Sequence, residues 1–315
     1  PVGDGYDGAR NVREVKAASD EAYVYLRLRL DCLDCKKLGK PDFGKAAYAI
    51  ALNTLPGLSG FKQLPLGGYR LSGGANFILD LSDPGSAKLL IAEDYYPYRA
   101  IPKPNNPQEN DLIYRRSFNP ILQGEGGFVD YTVETNRRRY ARNGSVFQPI
   151  RYSRSTMRYG NGNPDAPDFD SLGEWYADTK KSTIYVRLAW GKLLVTDPSS
   201  RQAFFGFDDR ATLRSITSSG VDVAVFTLRP GPQKGLRSAT VAGVFPAAVN
   251  GDVATPFRIT WRGWEAVSPE PYFKKSFLTL QQRFTAQDKA DGITVPADKN
   301  PTRAPGNGKP AGGVQ

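Results

Sequence analysis

Ser182-Thr183-Ile184-Tyr185-Val186-Arg187-Leu188-Ala189-Trp190-Gly191-Lys192-Leu193-Leu194-Val195-Thr196-Asp197-Pro198-Ser199-Ser200 is the stretch whose reading decides the fold. From Thr183 to Leu188 the bulky residues Ile184, Val186 and Leu188 share one face, and Tyr185 and Arg187 share the other. A period of two marks a strand with one buried side. Ala189-Trp190-Gly191 interrupts it, Leu193–Val195 is a short apolar segment, and Thr196–Ser200 has turn chemistry. A twisted antiparallel sheet follows, and its apolar side needs a second sheet to cover it.

The clearest companion lies upstream. In Ala22–Leu30, Ala22, Val24, Leu26, Leu28 and Leu30 share one face, and Tyr23, Tyr25, Arg27 and Arg29 the other. The aliphatic face belongs to a core; the Tyr/Arg face is either solvated or binds something. In Ala47–Leu52, Tyr48, Ile50 and Leu52 oppose Ala47, Ala49 and Ala51, and that small-residue face implies close approach by another layer. Further strands are read at Val12–Ala18, Phe77–Leu81, Lys88–Ala92, Phe128–Val133, Gly220–Leu228 and Phe257–Trp261, with a hairpin turn at Ser82-Asp83-Pro84-Gly85. Ser171–Ala177 reads as one helical turn capped by Asp170 or Ser171. In Tyr272–Phe284, Phe273, Phe277, Leu280 and Phe284 fall on one stripe, the spacing of a helix.

The 315 residues suffice for a large core, and 32 glycines and 24 prolines favour turns over long helices. The expected architecture is all-β: a jelly-roll-like antiparallel β-sandwich over residues 1–285, with insertions near 56–75 and 93–126 and one short C-terminal helix. Residues 286–315 form an extended Pro/Gly-rich tail without core-forming power. No apolar run reaches the length of a membrane span, and no secretory signal is present. The opening residues are already domain-like, so the chain reads as a mature product or as the C-terminal part of something longer.

The chain has no histidine, which removes His general bases, His-containing triads and zincin-type metal sites. Met157 is the single methionine, so Met-ligated haem is not expected. Cys32 and Cys35, the two cysteines, are too few for a usual structural zinc site. They read as a local disulfide pinning a turn, as reduced structural thiols or as a redox pair; a disulfide would imply an oxidising compartment.

Asp20-Glu21-Ala22-Tyr23-Val24-Tyr25-Leu26-Arg27-Leu28 resembles the second strand of family 9-type carbohydrate-binding sandwiches. Those domains begin with an Asp-Gly loop followed by an Asp-Glu-x-Tyr-Leu-Tyr-Leu strand. Trp190–Ser200, and Trp261-Arg262-Gly263-Trp264-Glu265 leading into the helix, extend the likeness. Together these blocks resemble a C-terminal sandwich domain of large exported bacterial proteins of poorly defined function. They cover about a fifth of the chain. The resemblance implies a jelly-roll-like sandwich outside the cytoplasm of a bacterium and brings no catalytic residues.

Aromatic faces make platforms for sugar rings. Trp175, Trp264, Tyr95, Tyr96 and Tyr98 are the surface candidates because loop signals surround them, whereas Trp190 and Trp261 read as sealing the sandwich. The net charge of +10 favours acidic neighbours, and Arg137, Arg138, Arg139, Arg142, Arg151, Arg154 and Arg158 form a basic hairpin-like tip and its return. That tip is a candidate contact for a polyanion or partner, or simply a solvated basic face. No nucleic-acid motif accompanies it, so specific nucleic-acid binding is not expected. Asp165, Asp168 and Asp170 are candidate calcium ligands on a loop, the one cofactor to consider, though turn-forming aspartates have the same signature. With Glu174 they also raise a distant reading as a glycoside hydrolase. The Gly-rich segments at 57–74 and 124–127 lack a following Gly-Lys-Ser/Thr, so no phosphate loop is supported.

The leading expectation is a non-catalytic extracytoplasmic binding or scaffolding module, with carbohydrate as its first ligand class. The alternative is an accessory subunit docked on a larger extracytoplasmic or membrane-associated assembly through its loops, basic tip and tail. Membrane association would then be peripheral.

Overall fold

The computed structural model describes residues 4–97, 127–134, 139–148, 150–207, 213–264 and 275–292. Its first strands are β1 (Val12–Ser19), β2 (Tyr23–Leu30), β3 (Ala47–Asn53), β4 (Phe61–Gln63), β5 (Arg70–Ala75), β6 (Phe77–Leu81) and β7 (Lys88–Ala92). Next come β8 (Phe128–Asp130), β9 (Thr132–Glu134), β10 (Arg139–Tyr140), β11 (Val146–Phe147), β12 (Arg151–Ser153), β13 (Trp175–Asp178) and β14 (Thr183–Ala189). The last are β15 (Val195–Asp197), β16 (Gln202–Phe207), β17 (Leu213–Thr217), β18 (Val221–Arg229), β19 (Thr240–Phe245), β20 (Asp252–Val253) and β21 (Phe257–Ile259), followed by helix α1 (Lys275–Ala290). Among the described residues the fold is all-β apart from this one short helix and a few single 3-10 turns.

Two sheets share the main core. The first has four antiparallel strands in the order β1-β2-β14-β13. Its register sets Ile184 against Leu28, Val186 against Leu26 and Leu188 against Val24, all buried, so the alternation in the two strands serves one inner face. The second follows the order β19-β18-β3-β6-β7-β8, with β21 also paired to β18. From it Tyr48, Ile50, Leu52, Phe77, Leu79, Val221, Val223 and Val225 join the same core, which gives a sandwich-like pair of layers.

The other face of the second sheet is buried too. Every residue of β3 is buried, which is why its sequence reads as a near-continuous apolar run. The insertion expected near 56–75 is a folded layer, because its glycines let two strands meet closely. Strands β4 and β5 pair, β20 joins β5 in parallel, and Leu64, Leu66, Leu71 and Val253 pack against Ala47, Ala49 and Ala51. A Cβ on Gly74, whose φ is +79°, would meet the Gly60 carbonyl oxygen at 2.7 Å, so this contact requires glycine. The small-residue face of β3 has the covering layer its sequence implies.

Several elements differ from expectation. Ser171–Ala177 is no helical turn: Trp175–Asp178 is strand β13, because Trp175 and Ala177 turn inward and Tyr176 pairs with Tyr185 of β14. Phe128–Val133 is split at Tyr131 into β8 and β9, which pair with β7 and β12 respectively. The strands β15–β17, which form a three-stranded sheet of their own, and β19, at the edge of the second sheet, are too weakly patterned to read. The chain divides into two units, Pro1–Ala266 and Val267–Gln315. The boundary expected at residue 285 falls inside α1, where Leu280 and Phe284 of the apolar stripe are exposed. The side chains of Phe273 and Phe277, the second expected insertion beyond residue 97 and the tail from residue 293 lie outside the described residues.

Candidate functional site: a tyrosine and arginine groove

The outer face of the four-stranded sheet carries what its inner face excludes. Register places Lys16, Arg27, Tyr185 and Tyr176 side by side across β1, β2, β14 and β13. A neighbouring row sets Ala18, Tyr25 and Arg187 abreast. These rows floor a groove of about 870 Å³. One wall is the loop from Gly160 to Glu174, and the turn Asp178–Lys181 closes one end.

The loop wall is tied to the sheet at several points. Arg187 Nη2 donates to the carbonyl oxygens of Ser171 (2.6 Å) and Gly173 (2.7 Å), while its guanidinium lies over the Tyr23 ring at 4.9 Å. Arg158 pairs with Asp170 at 2.9 Å, and Asn161 Nδ2 donates to Asp168 at 2.8 Å. A Cβ on Gly173 would stand 2.3 Å from the Gly160 carbonyl oxygen, so the two ends of the loop meet only because Gly173 has no side chain. The Leu172 amide and Arg158 hold the Asp170 carboxyl below its ordinary range.

Two of the floor cations share one carboxylate. Arg27 and Lys16 both reach Glu14, at 2.8 and 2.9 Å, and Glu174 pairs with Lys192 at 2.5 Å. The Tyr25 hydroxyl donates to Asp20 at 2.7 Å. Burial, with this bond to a carboxylate, pushes Tyr25 up to about 12. Burial and the neighbouring Asp168 raise Tyr176 as well. Both phenols are therefore neutral hydrogen-bonding groups at physiological pH. The arrangement offers flat aromatic area beside fixed donors and acceptors, the chemistry that recognises a polar, ring-shaped ligand.

The aromatic platform expected from sequence is largely dismantled. Trp175 is 1% exposed and packs edge-on against Phe43 and Tyr159, because β13 turns it inward. Tyr95 is wholly buried, its hydroxyl donating to the Phe204 carbonyl at 2.8 Å. Tyr96 is half-buried and bonds the Thr132 carbonyl at 2.6 Å. Trp264 is 41% exposed, and Tyr98 lies outside the described residues. Trp190 and Trp261 are buried with ring centroids 4.5 Å apart, their indole nitrogens donating to Asp20 and Pro198 carbonyls. They seal the fold, as their sequence context suggests.

The aspartates read as candidate calcium ligands have local partners. Asp170 is taken by Arg158 and the Leu172 amide, Asp168 accepts from Asn161, and Asp165 lies on an Asn163-capped turn. Among the described residues no three acidic or sulfur side chains converge on a metal position. The arginines also part company. Arg139 and Arg142 are exposed on the β10–β11 hairpin, Arg154 is exposed with a long contact to the Gly191 carbonyl, and Arg158 is exposed and pairs with Asp170. Arg137, Arg138 and the Arg151 side chain lie outside the described residues. Cys32 and Cys35 form a disulfide.

The groove residues Lys16, Tyr176, Tyr185 and Arg187 were not among the sites expected from sequence, although the Tyr/Arg face of β2 was read as one of two outcomes. The signal that finds them is the same polar aromatic and arginine alternation in two strands at once. No family model, curated protein or solved structure matches the chain.

Proposed function

We propose that this chain is a non-catalytic carbohydrate-binding module of the bacterial extracytoplasmic space, with the groove as its sugar site. The observation that carries the reading is the lateral row Lys16–Arg27–Tyr185–Tyr176 under a tethered loop wall. Tyrosine rings offer apolar faces to the C–H side of a pyranose, and fixed cations and carboxylates meet its hydroxyls. The Cys32–Cys35 disulfide supports an oxidising compartment. The carboxylates of the groove are engaged by Lys192, Lys181 and Asn161, which favours binding over hydrolysis. The test is a glycan array with the purified chain and a Tyr185→Ala control. Specific signal lost in the control supports the reading, and an array with no signal above background refutes it.

A second reading, an accessory subunit of a larger assembly, draws on α1. Leu280 and Phe284, four residues apart on one face, are both exposed, as a docking helix requires. Purification from the native source under mild conditions distinguishes the two: stoichiometric co-purifying subunits favour the assembly.

A further inference from the structure

The β10–β11 hairpin lies outside the groove and is built unlike the rest of the surface. Arg139 pairs with Phe147 and Tyr140 with Val146, and the reversal is closed by the Ala141 amide donating to the Ser145 carbonyl at 2.9 Å. Gly144 takes the turn at φ +81°, and Asn143 Oδ1 accepts from the Ser145 amide. Nothing in this hairpin serves the core. Tyr140 is 71% exposed, Phe147 59%, Val146 44%, and Tyr152 on the following strand 56%. Large apolar side chains gathered in one exposed segment mark an interaction surface.

Charge narrows the partner. From residue 135 to residue 164 the sequence holds seven arginines, no lysine and no acidic residue. Of these arginines, Arg139, Arg142 and Arg154 are exposed beside the apolar side chains. A second copy of this chain would bring like charge to like charge, the net charge being +10. A phosphate-bearing polymer without bases satisfies the guanidinium groups but gives Phe147 no apolar medium, and no nucleic-acid-binding motif accompanies the hairpin. An anionic phospholipid bilayer supplies both in one layer. Guanidinium groups pair with headgroup phosphates, and Phe147, on the same face of the ribbon as its pair partner Arg139, enters the acyl boundary.

We infer that the β10–β11 hairpin docks this protein on an anionic phospholipid surface, with Arg139 and Arg142 at the phosphates and Phe147 below them. No described helix is long and apolar enough to cross a membrane, so this hairpin contact would be peripheral.

The test is co-sedimentation of the full chain with vesicles of phosphatidylcholine alone and of phosphatidylcholine mixed with phosphatidylglycerol. The chain is expected to pellet with the mixed vesicles and to stay in solution with the neutral ones. Arg139→Glu with Arg142→Glu weakens partitioning at least roughly twentyfold, each charge counting for about fivefold. Phe147→Ser weakens it by about tenfold or more. Far-UV circular dichroism identical to wild type keeps misfolding out of the comparison, since all three side chains are exposed. A wild-type chain that ignores the mixed vesicles overturns the inference, as do variants that pellet like wild type. Retention on immobilised polyglutamate without vesicle binding overturns it too, and assigns the hairpin to an acidic protein face.

Discussion

The guanidinium of Arg187 lies 4.9 Å from the centre of the Tyr23 ring, one side chain of β14 capping another from β2. The same guanidinium donates to the carbonyls of Ser171 and Gly173, so one residue couples the sheet floor to the loop wall. Arg187→Ala removes a cation–π contact and two charge-assisted hydrogen bonds. A loss of about 2 kcal/mol in folding stability is expected, together with loss of sugar binding. Arg187→Lys keeps the charge without the planar fork and should fall between. Urea unfolding of the three proteins checks this; a change under about 0.5 kcal/mol for Arg187→Ala would show that the wall does not depend on it.

Tyr25 gives the groove a pH signature. Its hydroxyl is pushed up to about 12, while an unfolded tyrosine releases its proton near 10. The folded state thus holds this proton more tightly than the unfolded state. Its contribution is complete below pH 10 and is lost as pH rises from 10 towards 12. NMR of ring-labelled tyrosine should show Tyr25 neutral at pH 11, and Tyr25→Phe should flatten part of the stability loss in that window. Tyr25 ionising near pH 10 would contradict its burial and the bond to Asp20.

The covering layer formed by β4, β5 and β20 can be tested by cutting into it. Leu71 is wholly buried against the alanine face of β3. Leu71→Ala should cost about 3 kcal/mol, as a buried leucine truncation does. A cost within the range of surface substitutions, about 0.5 kcal/mol, would mean the segment is not part of the cooperative fold.

The disulfide should matter modestly. It closes a loop with a sequence separation of 3, and so short a loop removes little entropy from the unfolded chain. Cys32→Ser with Cys35→Ser is expected to cost about 2 kcal/mol at most, read from the thermal midpoint, and to leave sugar binding intact. A variant that fails to fold would contradict this account of the pair.

The two organising strands, the hairpin of β6 and β7 and the small-residue face of β3 are legible because each has a one-sided apolar period that only one environment satisfies. Strands β15–β17 and β19 are not, since Phe204, Gly206 and their neighbours follow bulged pairings that break the alternation. The site was harder. Trp175 sits among loop signals in the sequence, yet one residue of register decides whether it faces the core or the solvent, and β13 turns it inward. Its neighbour Tyr176 takes the outward place. Aspartates such as Asp168 and Asp170 have the composition of a metal loop, but whether carboxylates converge or bond locally is set by backbone turns that spacing does not encode.

The measurement that bears most directly on the sugar-binding claim is affinity electrophoresis through gels containing the polysaccharide that gives the strongest array signal. Wild type and Trp264→Ala should be retarded alike, while Tyr185→Ala, with its ring removed from the groove floor, should run as in a gel without polysaccharide. Equal mobility of wild type in all gels, or retardation lost with Trp264 and kept without Tyr185, would contradict the groove as the sugar site.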